Sequence, residues 1–160
     1  MTYKTILIDQ LTACYNDKSW FIPLAEMLAD LTVKEATTEN ESKQTIGAIL
    51  NHLLYWNETW LERFKAGEIV LNHDIDNDET FSLRSDQSDE LGWKETLSRL
   101  ENVFGNWKTV LEESDEAKLT QQLPEYFNAP WWGVVSNLII HNAYHIGQVM
   151  LLKKQIRKGL

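Results

Sequence analysis

The chain contains only four histidines, His52, His73, His141 and His145. Two of them lie in the stretch HNAYHIGQ, from His141 to Gln148, within an apolar C-terminal segment. Residues four apart on an α-helix share a face, with Cβ atoms roughly 6 Å apart. Two imidazoles so placed can bind one metal ion, as helical His-x-x-x-His pairs do in zinc enzymes. Taken alone, the pair fits equally well with two core histidines bonded to backbone or water. It also lacks the adjacent glutamate of the zinc-protease motif, because Asn142 follows His141.

His52 shifts that balance towards a metal. It sits midway along a second amphipathic segment, AILNHLLYWNETW. In a bundle, the middle of one long helix can face the middle of another. Three neutral imidazoles converging from two helices make a facial site for a divalent ion, with positions left for water or substrate. Burying the same rings without a shared ligand leaves polar nitrogens to satisfy, at roughly 1–3 kcal/mol for each one unpaired. Gln148, three residues after His145, is placed on the same face to hydrogen-bond a water on the metal; an ordinary surface glutamine is the alternative. Gly147 offers a point of close helix approach. Tyr55, three residues after His52, is assigned to core packing, with a place in the lining of the same pocket as the alternative. Glu58 and Glu62 fall off the His52 face and are expected in solvent, as is His73 in a polar connection.

Other chemistries are excluded by residue type and spacing. Cys14 is the only cysteine, so neither an intrachain disulfide nor a cysteine-based zinc cluster can form. A di-iron carboxylate bundle needs Glu-x-x-His on two helices, and no histidine here has a glutamate three residues before it. The run HDIDNDET begins like a calcium loop, with Asp74, Asp76 and Asp78. However, Glu79 stands where such a loop needs glycine, and Ser85 where it needs glutamate. No serine or cysteine nucleophile motif is present, so any reaction has to draw on the metal.

The elements that must position these groups follow from periodicity. Tyr3 to Tyr15 reads as a first helix, with a bend over residues 16–23 ahead of a short piece around Leu24, Met27 and Leu28. Thr32 and Glu35 form a capping-box pattern for one more turn. Thr45 to Ala66 reads as the second long helix, with Thr45 as N-cap and Gly67 closing it. Residues 68–87 lack periodicity and read as a long connection that crosses the bundle or covers a site. Ser88 to Glu113 is the third long helix, with Leu91, Leu97, Leu100, Phe104, Trp107 and Leu111 turned inward. A short helix or turn over 114–122 precedes the last helix, from Pro130 to Arg157. Its apolar sector is broader than one stripe, which suggests packing on its own bundle and on a second copy, hence a homodimer. With no credible strand, the expected fold is all-α: a single four-helix-bundle domain over residues 1–160 with a long crossover.

Composition sets the outer bounds. The net charge of −9 repels phosphate backbones and anionic lipid, so neither nucleic acid nor a membrane is an expected partner. No basic-plus-apolar leader and no run of about 18 apolar residues are visible, so a cytoplasmic protein is expected. The seven tryptophans can fill a core or line a pocket.

The stretch TIGAILNHLLYWNETWLERF, from Thr45 to Phe64, together with HNAYHIGQ, resembles the DinB/YfiT-like superfamily. The resemblance covers nearly the whole chain. It implies a four-helix bundle, often dimeric, with a three-histidine site for zinc or nickel whose ligands match His52, His141 and His145. Asn142 departs from the pattern, since an acidic residue is expected there in many relatives. Its amide is placed around the ligands without the effect of a carboxylate on their basicity. The resemblance further implies either a metal-dependent hydrolase or a transferase that uses a low-molecular-weight thiol such as bacillithiol. A metal can lower the pKa of a bound water or thiol at neutral pH. Arg63, Lys65 and Arg84 are candidates to hold a thiol's carboxylates. The alternative is a non-catalytic or stress-associated bundle whose metal ties two helices together.

Overall fold

The computed structural model describes residues 2–69, 75–82 and 89–159. His73, Asp74, Arg84 and the expected helix start at Ser88 lie outside them. The chain forms α1 (Tyr3–Tyr15), α2 (Leu24–Leu28), α3 (Val33–Thr37) and α4 (Ile46–Ala66), then a 3-10 turn (Asp78–Phe81). It continues through α5 (Glu90–Glu113), α6 (Glu116–Thr120), the two-residue strands β1 (Gln122–Leu123) and β2 (Ala129–Pro130), and α7 (Trp131–Lys158). The antiparallel β1–β2 pair corrects the expectation of no strand.

Local chemistry sets the helix ends. The side chains of Thr32, Thr45 and Asp89 each accept a hydrogen bond from a backbone N–H in the first turn of the helix they open. Gly67 and Gly159 close α4 and α7 at φ +76° and +69°, the left-handed region that a Cβ disfavours. The first turn of α5 corrects the expected inward set. Leu91 is 77% exposed, while Trp93 and Thr96 are buried in its place.

The four long helices α1, α4, α5 and α7 enclose one core. α1 packs on α5 and α7, and α4 packs on the same two, so α1 and α4 lie on a diagonal. Side-chain contacts give the directions. Glu58 pairs with Arg99 at 2.8 Å, and Phe64 meets Trp107 further along both helices, so α4 and α5 run parallel. Phe64 also meets Trp131, and His52 meets His141 and His145, so α4 and α7 run antiparallel. Parallel neighbours cannot be joined by a tight turn. The connection between α4 and α5 must therefore travel back along the bundle, and this is the crossover that the sequence predicts.

Trp60, Trp93, Trp107 and Trp131 are buried, Trp56 and Trp132 are half-buried, and Trp20 is 98% exposed. On the outer face of α7, Ile140, Tyr144 and Leu151 are exposed. Gly147 lies on that outer side with nothing within 4 Å of a Cβ built there, so none of the described helices of the same chain approaches it. Among the described residues no helix is long and apolar enough to cross a membrane.

One polar pair sits in the middle of the core. Asn57 on α4 and Asn142 on α7 are both fully buried and exchange two hydrogen bonds, of 2.7 and 3.0 Å. Asn57 also donates to the Leu53 carbonyl, and Trp107 donates to the Asn57 carbonyl. Asn142 therefore faces Asn57 rather than the surroundings of the histidines, which corrects the role expected for it. Breaking such a pair strands a desolvated amide. Asn142→Leu should cost about 1–3 kcal/mol in urea unfolding, and Asn57→Leu with Asn142→Leu should cost less than the sum of the single changes. Additive losses would contradict a coupled pair.

Candidate metal centre

His52 lies two turns into α4 and His141 and His145 lie near the middle of α7, and the antiparallel packing brings all three to one level of the bundle. His52 Nε2 lies 2.9 Å from His141 Nε2, and His145 Nε2 lies 3.1 Å from the same atom. One nitrogen from each ring falls within 4.8 Å of the others. His52 and His145 are buried and His141 is half-buried.

The proton positions follow from the partners. Thr80 Oγ1 donates its one hydrogen to the Asn77 carbonyl at 2.6 Å. It must then accept from His52 Nδ1, also at 2.6 Å. At His145, Nδ1 lies 2.6 Å from Gln148 Oε1, an acceptor only, so Nδ1 carries the proton there too. In both rings Nε2 is left as a bare lone pair aimed at its neighbours. At most one of the three converging nitrogens, that of His141, carries a hydrogen.

This donor set fits a divalent ion. Three lone pairs on neutral imidazoles are what zinc or nickel takes up. Ligands at about 2.05 Å in tetrahedral array lie roughly 3.3 Å from one another, close to the two separations found. Gln148 thus sits at the edge of the His145 ring away from the cluster. It orients that ring, in place of the bond to a water expected from sequence.

Burial keeps the rings neutral. His52 is pushed down to about 3, first by burial and then by the nearby His145 and His141. His141 falls to about 4, by burial and then by His145. His145 is lowered by burial, with its Gln148 bond acting the other way.

The crossover connection completes the site, which sequence periodicity could not reveal. Phe81 stacks on His52 with ring centres 3.8 Å apart and planes within 10°. Asn51 donates to the Ser82 carbonyl at 2.8 Å, and Trp56 Nε1 donates to Asn77 Oδ1 at 3.2 Å. These bonds fix residues 77–82 over the histidines. Beside them a cavity of about 390 Å³ opens between α4 and α7, with His141 in its wall. Trp56, Trp60, Tyr126 and Leu138 give it apolar sides, and Asn77, Asn137 and Arg63 supply polar groups. Tyr55 is half-buried against Trp56, outside the cavity and outside the main core cluster. Of the remaining acids considered, Glu58 pairs with Arg99 and Glu62 with Lys65.

The fold and site together define a class: a four-helix bundle with a diagonal first step, a parallel crossover and a histidine cluster facing a cavity. Sequence comparison narrows it. Residues 23–149 match the DinB superfamily, and the chain belongs to that family. YfiT from Bacillus subtilis shares the fold at a TM-score of 0.72 and 15% identity, over 96% of this chain and 87% of that one. That protein is described as a probable metal-dependent hydrolase with an unusual four-helix bundle topology. None of the curated proteins compared matches the chain in sequence.

Long-range proton–nitrogen spectra of the metal-free protein near pH 6 should show three neutral imidazoles, with His52 and His145 as Nδ1–H tautomers. An imidazolium signal at that pH would contradict the geometry. The same depression gives stability a sign. Below the ordinary value near 6.5 the unfolded chain takes up protons that the folded rings refuse. Thermal stability of the metal-free protein should therefore hold above that pH and fall as pH drops towards the folded values.

Proposed function

We propose that the chain is a divalent-metal enzyme acting on a small molecule, with His52, His141 and His145 holding zinc or nickel through Nε2. The observation that carries this reading is the cavity of about 390 Å³ with His141 in its wall. A metal that served only to tie α4 to α7 would be closed in by protein on every side. A metal-free role for the histidines fits less well, because their Nδ1 atoms are taken by Thr80 and Gln148 while the Nε2 lone pairs face one another.

An ion held there supplies Lewis acidity and lowers the pKa of a water or thiol. The chain's own residues bind and orient. Thr80 and Gln148 set the ring planes of His52 and His145 and keep their protons on Nδ1. Phe81 covers His52 and keeps water from that side. The tryptophans and Tyr126 offer flat apolar walls to a substrate.

Two reaction types suit such a centre: hydrolysis, the activity in the description of YfiT, and S-transfer from a low-molecular-weight thiol. Among the described lining residues there is no aspartate or glutamate, so in either reaction the nucleophile would give up its proton because the ion lowers its pKa, with no carboxylate of the cavity to receive it.

Protein purified without a polyhistidine tag should contain about one zinc or nickel per chain by elemental analysis. Thr80→Val should weaken binding roughly 10–100-fold, as loss of a ring-orienting partner does, and His141→Ala should weaken it more. Stoichiometry near zero, unchanged by added zinc or nickel, would overturn the metal reading. Metal-loaded protein should accelerate the reaction of bacillithiol with monobromobimane over the protein-free rate. If neither that reaction nor hydrolysis of a panel of esters and amides is accelerated, the enzyme reading fails and a purely structural metal takes its place.

A further inference from the structure

Between β1 and β2 the chain makes a loop over residues 124–128 whose backbone is strained. The hairpin is tied down at its base. Leu123 pairs with Ala129, and the Trp131 N–H donates to the Gln121 carbonyl at 3.2 Å. Within the loop the Tyr126 N–H donates to the Leu123 carbonyl and the Ala129 N–H to the Tyr126 carbonyl, each at 3.0 Å. Phe127 and Asn128 follow one another at φ +53°. Asparagine tolerates that left-handed region, whereas a bulky residue there brings its Cβ too close to the following carbonyl oxygen. The Phe127 ring finds no burial in this conformation, since the residue is 91% exposed. Strain of this kind persists where the surrounding fold imposes it, and it gathers at ligand sites.

The strained residue sits beside the cavity of the metal centre. Its neighbour Tyr126 forms part of the cavity wall, and the two rings meet edge to face with centres 5.2 Å apart. Tyr126 in turn meets Trp60 edge to face at 5.0 Å, and Arg63 stacks over the Trp60 ring at 4.7 Å. The Trp56 indole is held by its bond to Asn77. The rings of the wall are thus fixed before any ligand arrives, and they offer flat contact at little cost in side-chain entropy. Across the cavity, Val134 and Leu138 give α7 an apolar side that ends at His141.

We infer that the cavity takes a small molecule with a flat aromatic body, its reacting group towards His141, and that Phe127 selects it by closing on that body from the Tyr126 side. The inference names the substrate class of the enzyme proposed above and rests on that reading for its meaning as a substrate site. Holding the aromatic body requires no metal, so the two can be tested apart. A volume of about 390 Å³ is that of a small-molecule site. Contact with the ligand gives the Phe127 ring the burial that it lacks in the free chain, and so offsets the left-handed backbone that presents it. A saturated molecule of the same skeleton fills the space but cannot stack on the rings.

The test uses full-length protein stripped with a chelator and dialysed. It is titrated with 2-naphthol and with its saturated counterpart, decahydro-2-naphthol. Affinities are read by calorimetry, and the tryptophan indole N–H signals are followed by NMR. The wild-type protein should bind the naphthol at least about fivefold more tightly, the step that aromatic contacts add beyond burial, with shifts of the Trp56 and Trp60 signals. Phe127→Gly should remove that preference while its Tm stays at or above the wild-type value, because glycine accepts the left-handed backbone and the lost ring was exposed. Phe127→Trp should retain the preference. Equal affinities in the wild-type protein, or no binding of either compound at millimolar concentration, would overturn the inference. An unchanged preference in Phe127→Gly would overturn it too: with a lowered Tm the ring serves only the hairpin, and with lost self-association it serves a second copy of the chain. Failure here with a full complement of bound metal in the native protein would leave the metal centre standing. Naphthol selectivity without metal binding would leave an aromatic site without the enzyme.

Discussion

Three imidazole nitrogens meet inside this bundle with no more than one hydrogen to share among them. Thr80 and Gln148 claim the proton of His52 and of His145 on the far side of each ring. The near sides are then lone pairs only about 3 Å from His141 Nε2. Lone pairs so placed repel unless a proton or a cation lies among them. Burial holds His52 and His141 far below their ordinary value, so protonation at neutral pH is not the solution the fold prefers. A divalent cation is the partner that satisfies all three nitrogens at once.

The topology serves this constraint. Antiparallel packing of α4 on α7 sets His52 level with His141 and His145. Parallel packing of α4 on α5 obliges the chain to return along the bundle, and part of the returning segment lies over the histidines. It supplies Thr80 to the edge of His52, Phe81 to its face and Asn77 to the wall of the cavity. The Asn57–Asn142 pair holds α4 and α7 in register near the site, because a one-turn slip would bury two amides without partners. Position, orientation and proton placement thus come from three different parts of the chain.

Much of this was legible in the sequence, for identifiable reasons. Helix spacing put His141 and His145 on one face, and apolar periodicity placed His52 mid-helix. Thr45, Gly67 and the Thr32–Glu35 pair marked their helix ends through chemistry local to a few residues. Long-range partners were less visible. Thr80 and Phe81 lie in a segment without periodicity, and nothing local ties them to a histidine 28 or 29 positions earlier. The buried amides did leave a sign, since Asn57 and Asn142 each interrupt an otherwise apolar inward stripe. Reading that sign requires knowing that the two stripes face each other at the same level. Leu91 misled because the first turn of α5 fits the apolar pattern, yet Trp93 fills the space.

The chain is a DinB superfamily member with the fold of YfiT, and its own residues give that fold its site. The most direct measurement of the central claim is zinc K-edge X-ray absorption on the zinc-loaded protein. Three imidazole nitrogens at about 2.0 Å should surround the metal, with one further light atom that added thiol replaces by sulfur at about 2.3 Å. Fewer than three imidazoles, or a complete set of protein ligands that thiol leaves untouched, would contradict it.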